Sequence, residues 1–360
     1  MKIRNIFFKK IVIMLFLFSF STLIFADEHF GHVLQSTNNG RTWKQLRKFN
    51  HLIGSLLIDP RTPTTLYAST GTWTNDGHQQ EGHGMFKSID AGATWQPINN
   101  GVPTKRGTLL GIDPNNSQRL YCKDNFDENQ SGVHKISSLY RSKDGGATWH
   151  NANLNNTGIV SLKIDPLNTD IVYVTTYNHG VFKSTDAGET WANITNVIHK
   201  HVSAYGLAVD SINPDNLFIG TVEGVYQSTD GGNSWSPSDD GLKQQLVYSL
   251  AIDPKKPSII YAGTNHGHGL FKSIDSGKKW HYAGLKGLGT ITVYISPLKH
   301  SDIFARTSKT SDKLYQSKDS SLTWEPLELG FATFDTEALA IDPINRNTLY
   351  VGTHMWSHKH

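Results

Sequence analysis

The sequence has one cysteine, few charged residues and no sustained helical pattern, and each scarcity excludes a class of protein. Cys122 alone allows no intrachain disulfide, and no HExxH or cysteine–histidine ligand pattern typical of zinc sites occurs. Charged residues make up 18% of the 360 residues and glycine occurs 32 times, which excludes a long helical bundle. Cys122 lies in RLYCKD and is predicted to be a buried, unreactive strand residue.

Excess positive charge is confined to the first 26 residues. The formal charge is +3, but four basic residues and no acid precede residue 27, so the remainder carries −1. A protein held on nucleic acid by phosphate contacts would present a basic surface. We therefore predict no nucleic-acid partner, and the sequence indicates no cofactor.

The N-terminus has the pattern of an export signal. Residues 1–10 are basic, and residues 11–26 form an apolar and hydroxyl-bearing run of 16 residues. A membrane span needs about 20, so we predict a signal peptide over 1–26, cut after Ala26, and a secreted or periplasmic location. A retained anchor is the alternative, because Ile24 is large for its place before the cut. Residues 27–360 are predicted to form one monomeric domain without a membrane span.

One phrase, Ser-x-Asp-x-Gly-x-Thr-Trp, recurs seven times, from STNNGRTW at 36–43 to SKDSSLTW at 317–324. Asp accepts backbone N–H groups across a tight turn, Gly adopts positive φ, and Trp begins the next strand with its ring buried. Recurrence with the turn indicates a structural role rather than binding. The predicted structural set is Asn38, Asp90, Asp144, Asp186, Asp230, Asp275 and Asp319, with Trp43, Trp95, Trp149, Trp191, Trp235, Trp280 and Trp324. Ser321 replaces glycine in the last copy, where we expect modest strain.

A second phrase alternates with the first, as in LAIDP followed by IIYAGT at 250–264, so each unit holds four strand-length apolar runs. Consecutive Trp residues of the first phrase are 52, 54, 42, 44, 45 and 44 residues apart. Such units predict an all-β fold, a seven-bladed β-propeller with four-stranded blades. The chain begins and finishes with half a blade, so we predict one blade shared between the N- and C-termini, which removes two free sheet edges.

The combined pattern AIDP…IIYAGT…GLFKSIDSGKKW resembles the Asp-box, or BNR, repeat. Within that superfamily it is most similar to the seven-bladed propellers of xyloglucan-specific endoglucanases, sortilin and the photosystem II stability/assembly factor. The resemblance covers nearly all of residues 30–353. It implies the fold and a ligand face opposite the Asp-box turns, but it does not specify the function, because the repeated residues belong to the scaffold.

The loops after the second and fourth strand of each blade vary most, so we predict that the functional site lies there. Long insertions near 71–84 and 123–138 are prominent among them. The predicted ligand-binding face comprises Trp73, His78, His83, Phe126, Tyr177, His179, Glu223, His266, His268, Arg47, Arg106 and Arg306. His266, His268, His78 and His83 are the candidates for metal ligands, although a polar surface without metal is favoured.

Histidine is concentrated on this predicted face. Twelve of the 17 histidines map to it, namely His51, His78, His83, His134, His179, His199, His201, His266, His268, His354, His358 and His360. An ordinary histidine pKa lies near 6.5. We therefore expect the face to gain several positive charges between about pH 7.5 and 5.5.

Two functions remain open on the sequence alone. The absence of a catalytic signature favours an exported, non-catalytic binding or assembly module of the bacterial envelope, with a protein or glycan ligand. The alternative is a glycoside hydrolase, xyloglucanase-like or sialidase-like, which needs two carboxyl groups about 5–10 Å apart. Candidate carboxylates are Asp76, Glu81, Asp127, Glu128, Glu223 and Asp312, with Asp239, Asp240, Asp335 and Glu337 on the same face.

Three narrower considerations bear on this choice. The endoglucanases that the sequence resembles form their cleft between two propellers, and this chain supplies one. A sialidase would use three arginines, and Arg47, Arg106 and Arg306 permit one, but the Arg-Ile-Pro phrase of that family is absent. Arg47-Lys48 and Lys105-Arg106 could form the small basic patch of an assembly factor.

Overall fold

Seven four-stranded antiparallel sheets account for every strand in the described part of the chain. The computed structural model describes residues 29–71, 84–104, 107–126, 136–155, 157–195, 203–242, 245–308, 313–330 and 334–356. The signal peptide predicted over 1–26 lies outside these ranges. Within them, no apolar helix of membrane-spanning length occurs.

The sheets are numbered as blades in chain order. Blade 1 comprises β3 (Leu52–Ile58), β4 (Leu66–Gly71), β5 (Met85–Ser88) and β6 (Gln96–Pro97); blade 2 comprises β7 (Gly107–Ile112), β8 (Leu120–Phe126), β9 (Ile136–Ser142) and β10 (His150–Asn151). Blade 3 comprises β11 (Gly158–Ile164), β12 (Val172–Tyr177), β13 (Gly180–Ser184) and β14 (Ala192–Asn193); blade 4 comprises β15 (Ala204–Val209), β16 (Leu217–Thr221), β17 (Gly224–Ser228) and β18 (Ser236–Pro237). Blade 5 comprises β19 (Val247–Ile252), β20 (Ile260–Thr264), β21 (Leu270–Ser273) and β22 (His281–Tyr282); blade 6 comprises β23 (Thr290–Ile295), β24 (Ile303–Ser308), β25 (Lys313–Ser317) and β26 (Glu325–Pro326).

Blade 7 combines strands from both ends of the chain, as the half-blades predicted. Its order is β2 (Lys44–Phe49), β1 (His29–Ser36), β28 (Leu349–Trp356) and β27 (Phe334–Ile341). The joining ladder pairs β1 with β28 and runs from His29↔Trp356 to Ser36↔Leu349. The sheets form a ring around a central channel lined by the first strand of each blade, and this confirms the seven-bladed propeller.

Each Asp-box turn is built from the same three hydrogen bonds. In blade 4, Ser228 Oγ donates to Asp230 Oδ1 at 2.8 Å and accepts the Gly232 N–H at 2.8 Å, while the Ser234 N–H donates to Asp230 Oδ1 at 2.9 Å. Asn38 takes the place of Asp in the first copy and accepts the Thr42 N–H at 2.9 Å. The strained position predicted in the seventh copy is present, since Ser321 has a φ of 76°.

Five of the seven Asp-box Trp residues connect neighbouring blades through their indole N–H groups. Trp280 is 3% exposed and its indole N–H donates to the Ser238 carbonyl of the preceding blade at 2.7 Å. The same bond is made by Trp149, Trp191, Trp235 and Trp324. The predicted burial of the ring is complete for Trp149 and Trp280, and the other five rings are half-buried. The inter-blade bond forms because the indole reaches the carbonyl at the end of the adjacent fourth strand.

A second inter-blade contact links the third strand of a blade to the next Asp-box turn. Lys183 Nζ lies 5.5 Å from the ring centroid of Tyr173, its cross-strand partner, and donates to the Gly231 carbonyl of blade 4 at 2.8 Å. Lys87 and Lys272 repeat this arrangement. In blades 4 and 6 the aromatic residue is Phe and its partner is Gln, at Phe218↔Gln227 and Phe304↔Gln316. All three lysines face a tyrosine ring, which can interact with a cation, whereas Tyr121 faces Arg141 and Tyr350 faces Gln35.

The apolar core is divided into layers between adjacent blades. One layer joins Phe218 and Val225 of blade 4 to Leu250, Phe271 and Trp280 of blade 5. Cys122 is fully buried in the layer between blades 1 and 2, and burial raises the pKa of its thiol, which confirms the prediction of an unreactive residue. Stability therefore arises from blade-on-blade packing rather than from one central core.

We expect acid to destabilise the ring through the Asp-box carboxylates. The Ser234 hydroxyl, the Ser234 N–H and the Ser228 hydroxyl lower the pKa of Asp230 from 3.8 to about 2, and four other copies behave alike. A carboxylate whose pKa is depressed on folding stabilises the protein above its unfolded pKa, and this stability is lost as pH falls towards the folded value. Urea midpoints should hold from pH 7 to 5 and fall between about pH 4 and 2.

The matched variant is Asp230→Asn, because Asn38 already serves in such a turn. This variant should show a smaller fall of the urea midpoint across the same acid range. A wild-type midpoint that is unchanged down to pH 2 would contradict the assignment.

Candidate functional site

The two faces of the ring differ in the connections that they carry. The Asp-box turns and the turns with sequence Ile-Asp-Pro connect the third to the fourth strand and the first to the second, so they share one face, here called the turn face. The connections after the second and fourth strands lie on the opposite face, the loop face. Predicted ligand residues that the structure describes on this face include Tyr177, His179, Glu223, His266 and His268.

The inner strands carry β-bulges near the loop face. In five blades the bulge falls five residues before the turn residue that follows the strand, at Gly54, Val160, Tyr205, Tyr248 and Glu337. Blade 2 has its bulge at Leu110, and the inner strand of blade 6 has a regular register. A bulge leaves its extra residue unpaired and redirects its side chain. The redirected side chains include those of Tyr205, Tyr248 and Glu337.

Three tyrosines form an arc around the loop-face end of the channel, here called the tyrosine arc. The ring centroids of Tyr177 and Tyr205 are 6.2 Å apart, and those of Tyr205 and Tyr248 are 6.0 Å apart. Tyr177 and Tyr248 are each 37% exposed, so parts of their rings face solvent. Burial and the neighbouring Tyr177 raise the pKa of Tyr205 above its ordinary value, which keeps its hydroxyl protonated at neutral pH. The arc spans blades 3, 4 and 5.

A salt bridge continues the channel wall beyond the arc. Arg306 of blade 6 reaches into blade 7, where its Nη1 lies 3.2 Å from Glu337 Oε2 and donates to the Thr336 carbonyl at 3.2 Å. Both side chains are just under one-fifth exposed. Tyr294 lies close enough to both Arg306 and Tyr248 to interact with them electrostatically. The tyrosine arc and the Arg306–Glu337 pair therefore line one channel.

A second carboxylate precedes Glu337 on the same strand. Asp335 and Glu337 are separated by the buried Thr336, and both are half-buried. Residues two apart in a regular strand have Cα atoms about 7 Å from one another, although the β-bulge at Glu337 takes its side chain out of the regular alternation. A Cα separation of this size is compatible with the range of about 5–10 Å that glycoside hydrolysis requires of two carboxyl groups.

Other carboxylates on the loop face lie further from the channel. Glu223 is exposed in the β16–β17 connection and accepts a hydrogen bond from the Tyr226 hydroxyl at 3.2 Å. Asp239 follows β18, beside Gly224. These residues are on the third- and fourth-strand side of blade 4. They are distinct from Asp335 and Glu337.

The structure changes the placement of Arg47, which was predicted on a loop. Arg47 lies in β2, the outermost strand of blade 7, paired with Val33. Its guanidinium carbon is 5.8 Å from the ring centroid of Phe49, on the outer wall of the propeller. Strand β2 extends to Phe49 because its pairing with β1 continues that far. Arg47 is therefore remote from the channel, unlike Arg306.

The histidine-rich face is also less uniform than predicted. His51 is 8% exposed and His354 is 3% exposed, since both belong to the interior of the ring, whereas His179, His266 and His268 are exposed. Within the ranges that the structure describes, no group of three or more His, Cys, Asp or Glu is arranged to hold a metal ion. The protonation of the exposed histidines between pH 7.5 and 5.5 stays a prediction.

Several predicted site residues lie outside the described residues. These are Trp73, Asp76, His78, Glu81, His83, Arg106, Asp127, Glu128 and Asp312, and for Phe126 the backbone alone is described. Conversely, Tyr205 and Tyr248 were not predicted as site residues, because both occur in strand-like runs, YGLAVD and VYSLAID, rather than in variable loops. Their common position, five residues before the turn aspartate, was the available signal.

Comparisons with known proteins agree with this architecture. A family model described as Sortilin-Vps10 (Sortilin, neurotensin receptor 3) matches residues 137–244. Xyloglucanase of Paenibacillus sp is 24% identical over 313 residues, 72% of this chain and 30% of that protein. Xyloglucanase Xgh74A of Acetivibrio thermocellus is also 24% identical, covering 72% of this chain and 36% of that protein. The chain thus spans about a third of the length of these curated relatives.

Solved structures share the fold at low sequence identity. The GH74 xyloglucanase from Xanthomonas campestris superimposes with a TM-score of 0.64 and 19% identity, covering 89% of this chain and 52% of that one. YCF48 from Cyanidioschyzon merolae superimposes with a TM-score of 0.57 and 13% identity, covering 86% of this chain and 98% of that one. Identities this low establish the common architecture alone.

The blades, their turns and these matches define the class: a seven-bladed β-propeller built from Asp-box repeats. The architecture and these matches are consistent with the Asp-box, or BNR-repeat, propeller superfamily that the sequence pattern resembles, and the chain is similar to sortilin and to xyloglucanase propellers. The prediction of a non-catalytic binding or assembly module is wrong, because curated relatives that match 72–92% of this chain are named xyloglucanases. The glycoside hydrolase alternative is the better supported of the two.

Proposed function

We propose that this protein is a glycoside hydrolase acting on xyloglucan or a closely related β-glucan, with its site at the loop-face end of the channel. The observation that carries the proposal is a pair of half-buried carboxylates two residues apart on β27, Asp335 and Glu337, of which Glu337 is paired with Arg306 near the tyrosine arc. The names of the curated relatives give the substrate class. Such a substrate is extracellular, which fits the export signal predicted over residues 1–26.

The tyrosine arc supplies the substrate-binding surface in this proposal. A pyranose ring has an apolar face of C–H groups, and an exposed aromatic ring offers a matching surface while its hydroxyl can meet the sugar hydroxyls. Tyr177 and Tyr248 present partly exposed rings on either side of Tyr205. A chain of sugar units crossing the channel mouth would contact successive members of the arc.

The two carboxylates have different roles in the proposed reaction. Glycoside hydrolysis needs one ionised carboxylate, as base or nucleophile, and one carboxylic acid that protonates the leaving oxygen. The guanidinium of Arg306 at 3.2 Å favours the ionised form of Glu337. We assign Glu337 as the ionised group and Asp335 as the acid. The loop carboxylates predicted outside the described residues, such as Asp76, stay candidates for completing the site.

A substrate screen tests the activity. The purified protein is incubated with xyloglucan, mixed-linkage β-glucan, unbranched cello-oligosaccharides and a sialoside, and new reducing ends or free sialic acid are quantified. We expect reducing ends from xyloglucan in excess of those from the unbranched oligosaccharides. Folded protein that releases nothing from any β-glucan, or that cleaves the sialoside, would overturn the proposal.

Replacing Tyr248 with alanine should weaken substrate binding more than it slows the chemical step. Loss of one partly exposed ring from the tyrosine arc is expected to raise KM for xyloglucan by about tenfold, since a stacking contact contributes on the order of 1 kcal/mol or more. The readout is the kinetic pair kcat and KM. The matched control is Tyr282→Ala, because Tyr282 is an exposed tyrosine of the same blade on its outermost strand. An equal rise of KM in both variants would argue against the arc.

A further inference from the structure

The turn-face end of the channel has a chemistry unlike that of the loop face. The first residue of each Ile-Asp-Pro-type sequence is β-branched and half-buried in all seven blades. Together these side chains form a closed ring, here called the aliphatic ring: Ile58, Ile112, Ile164, Val209, Ile252, Ile295 and Ile341. Every member lines one or both of two cavities at this end.

Prolines form the outer rim of the same opening. Two residues beyond each member of the aliphatic ring lies a proline in six of the seven blades, with Ser211 in blade 4. These prolines are Pro60, Pro114, Pro166, Pro254, Pro297 and Pro343, and all of them line the cavities. The cavities measure about 450 and 430 Å³ and share Lys163, Ile164 and Ile341, so they are parts of one funnel. Sites for small ligands commonly have volumes of this order and mostly apolar walls.

One cation lies inside this funnel. Lys163 precedes Ile164 on β11 and is the sole charged residue among those that line the two cavities. Its side chain is exposed to the solvent of the funnel, and in the described part of the chain no carboxylate pairs with its ammonium group. Desolvation by the surrounding protein lowers the pKa of Lys163, and an ammonium group beside an apolar surface favours an anion that carries an apolar chain.

We propose that this funnel binds a linear aliphatic carboxylate, with the carboxylate on Lys163 and the alkyl chain within the aliphatic ring and the proline rim. The funnel has a matching surface for the alkyl chain and for the carboxylate of such a ligand. The ring buries CH₂ groups from every side, while the unpaired ammonium supplies one charge-assisted hydrogen bond within the funnel. The funnel opens on the turn face and the carbohydrate site on the loop face, with Tyr294 lying between them, since it lines the funnel and is also near Arg306 and Tyr248.

Isothermal titration with sodium dodecanoate, below its micellar concentration, tests the proposal, and 1-dodecanol serves as the neutral probe of equal chain length. The wild-type protein should bind dodecanoate saturably with about one site and bind the alcohol more weakly. Lys163→Met should lose about tenfold or more of the dodecanoate affinity, because a hydrogen bond to a charged group is removed, with little change for the alcohol. Methionine keeps the side-chain length and removes an uncompensated charge, so the melting temperature should not fall.

Two further variants separate a specific site from general adsorption. Lys256→Met removes a lysine from a turn on the same face but outside the cavity lining, and it should bind dodecanoate like the wild type. Val209→Gln introduces a polar group into the aliphatic ring and should weaken both probes. Equal dodecanoate affinity in wild type and Lys163→Met, or no saturable binding by folded wild-type protein, would overturn the proposal. Neither result bears on xyloglucan hydrolysis, which the reducing-end assay measures separately.

Discussion

Replacing Glu337 with glutamine is expected to lower kcat for xyloglucan hydrolysis by about a thousandfold or more, with little change in KM. Glutamine is close to isosteric and its amide oxygen can still accept a hydrogen bond from Arg306, so the 3.2 Å contact can survive. What disappears is the negative charge that stabilises the developing oxocarbenium ion or activates water, and such groups contribute factors of about 10²–10⁴. Initial rates of reducing-end release over a range of xyloglucan concentrations give the two constants.

The control is Glu223→Gln on the same face. Glu223 is an exposed carboxylate that was equally plausible from the sequence, but it bonds Tyr226 on the third strand of blade 4 rather than facing the channel. Its glutamine variant should retain kcat within about twofold. If Glu223→Gln abolishes turnover and Glu337→Gln does not, the catalytic group lies on the outer part of the loop face and the assignment made here is wrong.

Replacing Trp280 with alanine should lower the free energy of unfolding by about 3–5 kcal/mol, the usual effect of removing a buried aromatic side chain. Trp280 is 3% exposed and packs between blades 4 and 5, against residues such as Phe218 and Leu242. Its indole also donates to the Ser238 carbonyl at 2.7 Å, so truncation leaves a buried acceptor unpaired. Urea unfolding followed by circular dichroism measures the change.

Two milder substitutions separate packing from hydrogen bonding. Trp280→Phe retains an aromatic ring but loses the donor, and it should cost about 1–3 kcal/mol because the Ser238 carbonyl is left unsatisfied. Trp95→Phe should cost less, since the Trp95 indole is partly buried and donates to Gly92 in its own turn rather than to a neighbouring blade. Equal losses for Trp280→Phe and Trp95→Phe would mean that the inter-blade bond contributes little to stability.

The propeller could be predicted from the sequence because its information is local and repeated. The Asp-box phrase specifies a turn through short-range hydrogen bonds, such as Ser228 to Asp230, and seven copies with four strands each leave few alternatives. The half-blades at the two ends of the sequence correctly predicted the sheet that pairs β1 with β28. Contacts between blades, such as Trp280 to Ser238, were not predicted, because they depend on the packing angle of separate sheets.

The site was harder to predict because its residues are rare exceptions within a repeat. Tyr205, Tyr248 and Glu337 occupy one equivalent position in three blades, and a β-bulge redirects each side chain. A bulge is a property of pairing with the next strand, so hydrophobic alternation does not reveal it. The interpretation of loops as the functional region included Tyr177, Asp335 and Glu337 but passed over Tyr205 and Tyr248 on the inner strands.

The inter-blade indole hydrogen bonds described above do not occur at every border of the ring. They join blade 1 to blade 2 and continue without interruption to blade 6. The buried indole N–H of Trp43 has no acceptor among the residues that the structure describes, and Trp95 bonds its own turn. Blade 7 is thus the blade whose borders with both of its neighbours lack this indole hydrogen bond. The Arg306–Glu337 pair crosses one of those borders. A polysaccharide that contacts both Glu337 and the tyrosine arc would therefore bridge the border between blades 6 and 7. Substrate binding should then stabilise the ring against opening.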